Sequence, residues 1–152
     1  MAVDVLTEIV IARPRREVAE FAADPANATR WYENIVSVEP HYSGAPVAGS
    51  RAQFTARFLG RSLTYTYEVR ELEPGRKLVM STDEGPFPME TTYTWEDAPG
   101  GGTLMTLRNR GRPSGFAGVA APLMERAMRR ANRKDLARLK ELLEAQRGFA
   151  PG

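Results

Sequence analysis

The sequence predicts an α+β fold in which a curved antiparallel sheet wraps around a long C-terminal helix, with two short helices after the first strand. Three observations predict it. Segments with the two-residue period of strands dominate as far as Arg110, interrupted once by short helical patterns. The later strand segments are joined by short connections rich in Gly, Pro and Asp, which pair neighbours antiparallel because parallel neighbours need long crossovers. The chain then ends in one amphipathic helical segment of about 30 residues, ~45 Å long, enough to cross a whole sheet.

In order, VDVLTEIVIA at 3–12 sets Val3, Val5, Thr7, Ile9 and Ile11 against Asp4, Leu6, Glu8 and Val10, a strand with one apolar face. Pro14 suits a first helical turn, and Val18, Phe21 and Ala22 recur at helical spacing up to Asp24. Asp24-Pro25 signals a second short helix at 25–33, in which Trp31 reads as a packing anchor rather than a ligand contact. Strands are expected at 36–42, 51–59, 62–72, 77–82, 87–96 and 103–110. Helix follows from Pro113 to about Gln146. It carries Ala120, Met124, Ala127, Met128, Ala131 and Leu142 on one side, and Arg126, Arg129, Arg130, Arg133 and Lys140 on the other.

A chain of 152 residues, 42 % hydrophobic, suits one domain over 1–152 with one core. The absence of cysteine excludes disulfides, a thiolate nucleophile and sulfur ligation of a metal, and suits a reducing cytoplasm, the expected location. Asp4 and Glu8 interrupt the N-terminal apolar run, so it does not read as a signal peptide. GFAGVAAPLM at 115–124 is about half the ~20 residues a spanning helix needs, so no membrane insertion is expected.

Strand parity gives the candidate site. In LTYTYEV, Leu63, Tyr65, Tyr67 and Val69 share one face while Thr64, Thr66, Glu68 and Arg70 share the wet one. In METTYTW, Met89, Thr91, Tyr93 and Trp95 point inward. Phe54, Ala56 and Phe58, with Met105, Leu107 and Asn109, complete an inner wall. Phenols beside Thr91 and Asn109 would be costly in a dry core, and a partly wet pocket satisfies them more readily. Met124 and Met128 supply an adaptable opposite wall. Asn132 and Asp135 lie near the apolar side of the helix and read equally well as pocket members or as partners of loop amides.

These elements carry a resemblance. RPRREVAEFAADPANATRWYENIVSVE, FLGRSLTYTYEVRELEPGRKLVMST and RRANRKDLARLKELLEA, in this order, resemble the START-like or SRPBCC superfamily, within it the polyketide cyclase/dehydrase-related branch. The resemblance spans about 3–145. It implies a helix-grip fold (Bet v 1-like/START-like) whose cavity takes hydrophobic ligands such as lipids, polyketides, plant-hormone-like aromatics or quinones. Some relatives are enzymes, many bind or carry, and one group assists a chaperone, so fold alone does not assign function.

Reactive constellations are scarce. His41, the one histidine, shares strand parity with Ser37 and Glu39, opposite Val36, Val38 and Tyr42, and reads as solvent-facing. A lone histidine forms no His-rich metal site, and no serine sits in a nucleophile elbow. Gly100, Gly101 and Gly102 lack the Lys and helix start of a phosphate loop and read as a hairpin turn. Net charge is +2, concentrated in the tail, where nine Lys/Arg face four Asp/Glu from Arg112 onward. The helix arginines have interspersed Glu125, Glu141 and Glu144 and no stacking aromatics, which argues against a nucleic-acid partner. The reading is binding of a small hydrophobic, aromatic, polyketide- or lipid-like ligand, with no cofactor, no metal and no assigned catalytic residue. A polyketide cyclase/dehydratase-type enzyme with tyrosine as proton donor is the first alternative, and a protein-interaction or chaperone-cofactor module the second. A homodimer is compatible with the sequence but not specified by it.

Overall fold

The computed structural model describes residues 2–58, 60–84, 88–112 and 120–145. The N-terminal alternation forms β1 (Val3–Ile11), with Val3, Val5, Thr7 and Ile11 buried and Asp4, Leu6, Glu8 and Val10 exposed. Pro14 leads into α1 (Arg15–Ala23), which buries Val18, Ala19 and Ala22. The second helical segment is shorter than 25–33. It is a 3-10 turn (Pro25–Asn27) running into the single-turn α2 (Ala28–Trp31), ended by the extended backbone of Tyr32. Its start follows the sequence: the Asp24 carboxylate accepts from the Ala26 N–H at 3.0 Å, and Pro25 occupies the first turn.

Six further strands follow: β2 (Ile35–Pro40), β3 (Arg51–Phe58), β4 (Arg61–Glu73), β5 (Lys77–Glu84), β6 (Met89–Ala98) and β7 (Gly102–Gly111). Their order in one antiparallel sheet is β1-β7-β6-β5-β4-β3-β2. The last six form a meander, and β1 joins it beside β7. The chain therefore crosses from one edge of the sheet to the other through α1 and α2. The three-glycine run serves the β6–β7 turn, where Gly100 and Gly101 hold φ of 84° and 85°, a region that glycine enters without steric cost.

Bulges curve this sheet. Register shifts interrupt β2 between Ile35 and Ser37, and β4 between Thr66 and Glu68 and between Val69 and Glu71. The first of these corrects the sequence reading: Val36, expected inside with Val38, is 59 % exposed because the extra residue reverses its face. His41 lies just past β2 and is exposed, as expected, with Nε2 3.8 Å from Glu39 Oε1. The expected strand start at Phe87, the strand end at Leu59, helix over 113–119 and the helix stop near Gln146 all lie outside the described residues.

The long helix, α3 (Ala121–Ala145), has 25 residues, about 37 Å. Its buried stripe is Met124, Met128, Asn132, Asp135, Leu136, Leu139 and Leu143, with Leu142 only partly buried. The stripe is thus rotated from the expected one, which places Asn132 and Asp135 on its centre line. Side chains fasten the helix to β1. Glu125 Oε2 accepts from the Asp4 N–H at 3.0 Å, and Glu144 Oε2 from the Ala12 N–H at 2.8 Å. Lys140, expected on the solvated back, donates to the Val10 carbonyl at 3.0 Å instead.

Under the C-terminal half of α3 the space is filled. Leu136, Leu139 and Leu143 pack in one cluster with Val18 and Ala22 of α1 and with Leu78, Trp95, Met105 and Leu107 of the sheet. Each fully buried side chain of this size contributes about 1.5–3 kcal/mol of transfer free energy.

Candidate ligand-binding cavity

Under the N-terminal half of α3 the side chains leave a cavity of about 160 Å³. From β3 and β4 come Phe54, Ala56, Leu63, Tyr65 and Tyr67, all on the inward face that the alternation assigns to them. Met80 of β5, Met89, Thr91 and Tyr93 of β6, and Asn109 of β7 continue the wall. Met124, Met128, Ala131, Asn132 and Asp135 of α3 close the opposite side, and Tyr32, Asn34 and Ile35 the corner between α2 and β2.

The sequence-chosen residues separate accordingly. Phe54, Tyr65, Tyr67, Met89, Thr91, Tyr93, Asn109, Met124 and Met128 meet around one space. Trp95 and Met105 do not line it: they are 1 % and 0 % exposed and belong to the filled cluster. Parity fixed their face correctly but carries no information about position along the groove. The side chain of Phe58 lies outside the described residues. Asn132 and Asp135 both line the cavity, and Asp135 also serves a loop amide, accepting from the Glu33 N–H at 3.0 Å. Trp31 stays out of the lining, buried with its ring centroid 4.2 Å from Tyr32 and 5.8 Å from Tyr93, the anchor that the sequence suggests.

Tyr32, Asn34, Ile35 and Met80 are lining residues that the sequence reading passed over. A four-residue helix and its exit have too short a span for periodicity to mark an inward face. Met80 had a usable signal, since it shares strand parity with the buried Leu78.

One end of the cavity is apolar and the other is wired with hydrogen bonds. Around Met124 and Met128 the packing partners are Val3, Val5, Leu63, Tyr65 and Met89. At the polar end the Tyr32 and Tyr93 hydroxyls lie 2.5 Å apart, and since one donates to the other, one phenolic proton is left over. Thr91 Oγ1 donates to Asn109 Oδ1 at 2.9 Å.

Electrostatics follow burial. Desolvation pushes Tyr67 up to about 12, with the Thr91 bond opposing it, and pushes Tyr93 and Tyr32 above the ordinary phenol range, so these groups are neutral donors at physiological pH. Asp135 is raised to about 7, mainly by desolvation, against the bond from Glu33 and the charges of Lys134 and Arg138. A carboxyl so poised exchanges protons near neutrality. A surface depression lined by Arg126, Arg130, Lys134 and Glu33 adjoins the cavity, sharing Asn34 and Ala131 with it. No group of acidic or imidazole side chains suited to a metal occurs among the described residues, and no described helix is long and apolar enough to cross a membrane.

A strongly curved antiparallel sheet gripping a C-terminal helix, with a mostly apolar cavity between them, defines the helix-grip class of START-like proteins. Within that class the chain belongs to the polyketide cyclase / dehydrase and lipid transport family, whose model matches residues 2–144. A START superfamily protein from Mycobacterium smegmatis superposes with a TM-score of 0.81 at 14 % identity, covering 94 % of this chain and 98 % of that one. A protein from Thermus thermophilus gives 0.79 at 22 % identity, with 94 % and 98 % coverage. The Zhui aromatase/cyclase of a Streptomyces species gives 0.78 at 19 % identity, with 100 % and 99 % coverage. At these identities the likeness is one of fold. Among curated proteins no sequence match was found.

Proposed function

We propose that the protein binds one small hydrophobic ligand, carrying a single aromatic ring, in the cavity beneath the N-terminal half of α3. The observation that carries this reading is the cavity itself: about 160 Å³, walled largely by Phe, Leu, Met and Tyr, with the Tyr32–Tyr93 and Thr91–Asn109 hydrogen bonds in its wall. An apolar cavity of roughly 150 Å³ holds one benzene-sized molecule. A polycyclic ligand therefore requires the methionine walls to yield, which thioether side chains do readily.

Four of the lining residues are methionines, and Met105 is a fifth placed in the filled core. Titrating toluene into protein carrying 13C-labelled methionine methyls should shift Met80, Met89, Met124 and Met128 saturably and leave Met105 in place. Unmoved lining methyls, or a uniform drift of all five, would sink the proposal.

The position of Asp135 favours a second reading, proton-transfer catalysis of the cyclase/dehydratase type on a ligand held there. This carboxyl exchanges protons near neutrality and lines the same space as the Tyr32–Tyr93 pair. It requires that Asp135→Asn lower turnover far more than it weakens binding.

A further inference from the structure

The wiring of the polar end is incomplete, and the gap has a definite shape. Asn132 is 5 % exposed and lines the cavity, yet its Nδ2 has no hydrogen-bond partner among the described residues. A buried amide donor left unpaired costs the full desolvation of that group, so a native structure that keeps one is expected to fill it. One turn away, Asp135 is 2 % exposed and uses Oδ1 for the Glu33 amide, and Oδ2 accepts from no other described group. Residues three apart on a helix are surface neighbours, about 5–6 Å between Cβ atoms. The same stripe of α3 thus carries, on two residues that line the cavity, one unused donor and, beside it, one unused acceptor.

We infer that the ligand of this cavity is a neutral aromatic compound whose polar edge carries a carbonyl beside an N–H or O–H. The carbonyl accepts from Asn132 Nδ2 and the adjacent donor reaches Asp135 Oδ2, while the ring lies toward Met124 and Met128. This deepens the binding function proposed above and rests on it. An ionised carboxylate in the same place would face Asp135, a like charge once that group is deprotonated. A hydrocarbon would leave both helix groups unpaired and so gain only the apolar part of the binding.

The test uses two probes of one ring, benzamide and toluene, titrated into the intact protein at pH 8 and followed by the methionine methyl shifts. Benzamide carries the matching carbonyl and N–H2 edge; toluene carries neither. Wild-type protein should bind both. Asn132→Leu, which removes the donor at nearly constant volume, should weaken benzamide about tenfold and leave toluene unchanged or tighter. Asp135→Asn keeps the acceptor for the Glu33 amide but turns the other edge into a donor, and should produce the same selective loss. Benzamide and toluene changing by equal factors in both variants would overturn the inference, as would wild-type protein that binds toluene and not benzamide. If wild-type protein binds neither probe, the cavity-binding function itself fails, and this assignment with it.

Discussion

Along α3, the stretch from Leu136 to Leu143 and the stretch from Met124 to Asp135 meet the same curved sheet with different outcomes. Beneath the first, α1 inserts Val18, Ala19 and Ala22, and Trp95 and Met105 fill what remains. Beneath the second, no described helix inserts a layer as α1 does, and a cavity persists. What separates core from pocket is therefore a third layer of packing, not a change in hydrophobicity along the strands. Tyr93 and Trp95 show this within one strand: two residues apart on one face, the first lines the cavity and the second is sealed.

The largest effects should come from attacking the filled half. Trp95→Ala should lower unfolding free energy by about 3–5 kcal/mol in urea titrations, whereas Met128→Ala, at a wall already short of neighbours, should cost no more than about 2 kcal/mol. Equal costs would mean that both halves are packed alike.

Asp135 gives the next effect, and its sign is opposite to that of a paired carboxylate. Its folded-state value of about 7 lies above the model-compound value of 3.8, so the folded protein holds the extra proton between those limits and stability falls as pH rises through them. Above pH 7 the ionised group costs up to about 4 kcal/mol. Asp135→Asn should then be more stable than wild type at pH 8, with the gain vanishing near pH 4. A gain independent of pH would remove desolvation as its cause.

Smaller still is the Tyr32–Tyr93 pair. Tyr93→Phe orphans the Tyr32 hydroxyl and should cost about 1–3 kcal/mol, part of which the double change with Tyr32→Phe should restore. Additive losses in that cycle would show that the two phenols do not depend on each other.

Much of the arrangement is legible in the chain before any coordinates. Alternation in 3–12, in LTYTYEV and in METTYTW assigns faces correctly, since a strand's period is fixed by backbone geometry. It fails at Val36, where a bulge inserts one residue, and bulges leave no reliable mark in a single sequence. The site is legible as a set of inward residues but not as a volume. Whether an inward side chain meets another or meets space depends on α1 and α2, elements remote in sequence. Tyr32 and Asn34 escaped for a related reason: they belong to a corner, which has no period. The centre line of α3 was missed by part of a turn because Asn132 and Asp135 are polar, and a hydrophobic stripe drawn from composition bends away from them.

The bonds that fasten α3 to β1 bear on a different problem, the behaviour of many copies in solution. β1 and β2 are the outer strands of the sheet, and bare outer strands invite pairing with another chain. On β1, Glu125 and Glu144 occupy the amides of Asp4 and Ala12, and Lys140 occupies the Val10 carbonyl, so the row of free groups is broken along its length. β2 is six residues long, kinked by its bulge and ended by Pro40, which has no N–H to give. Both flanks are thereby blunted against edge-to-edge growth.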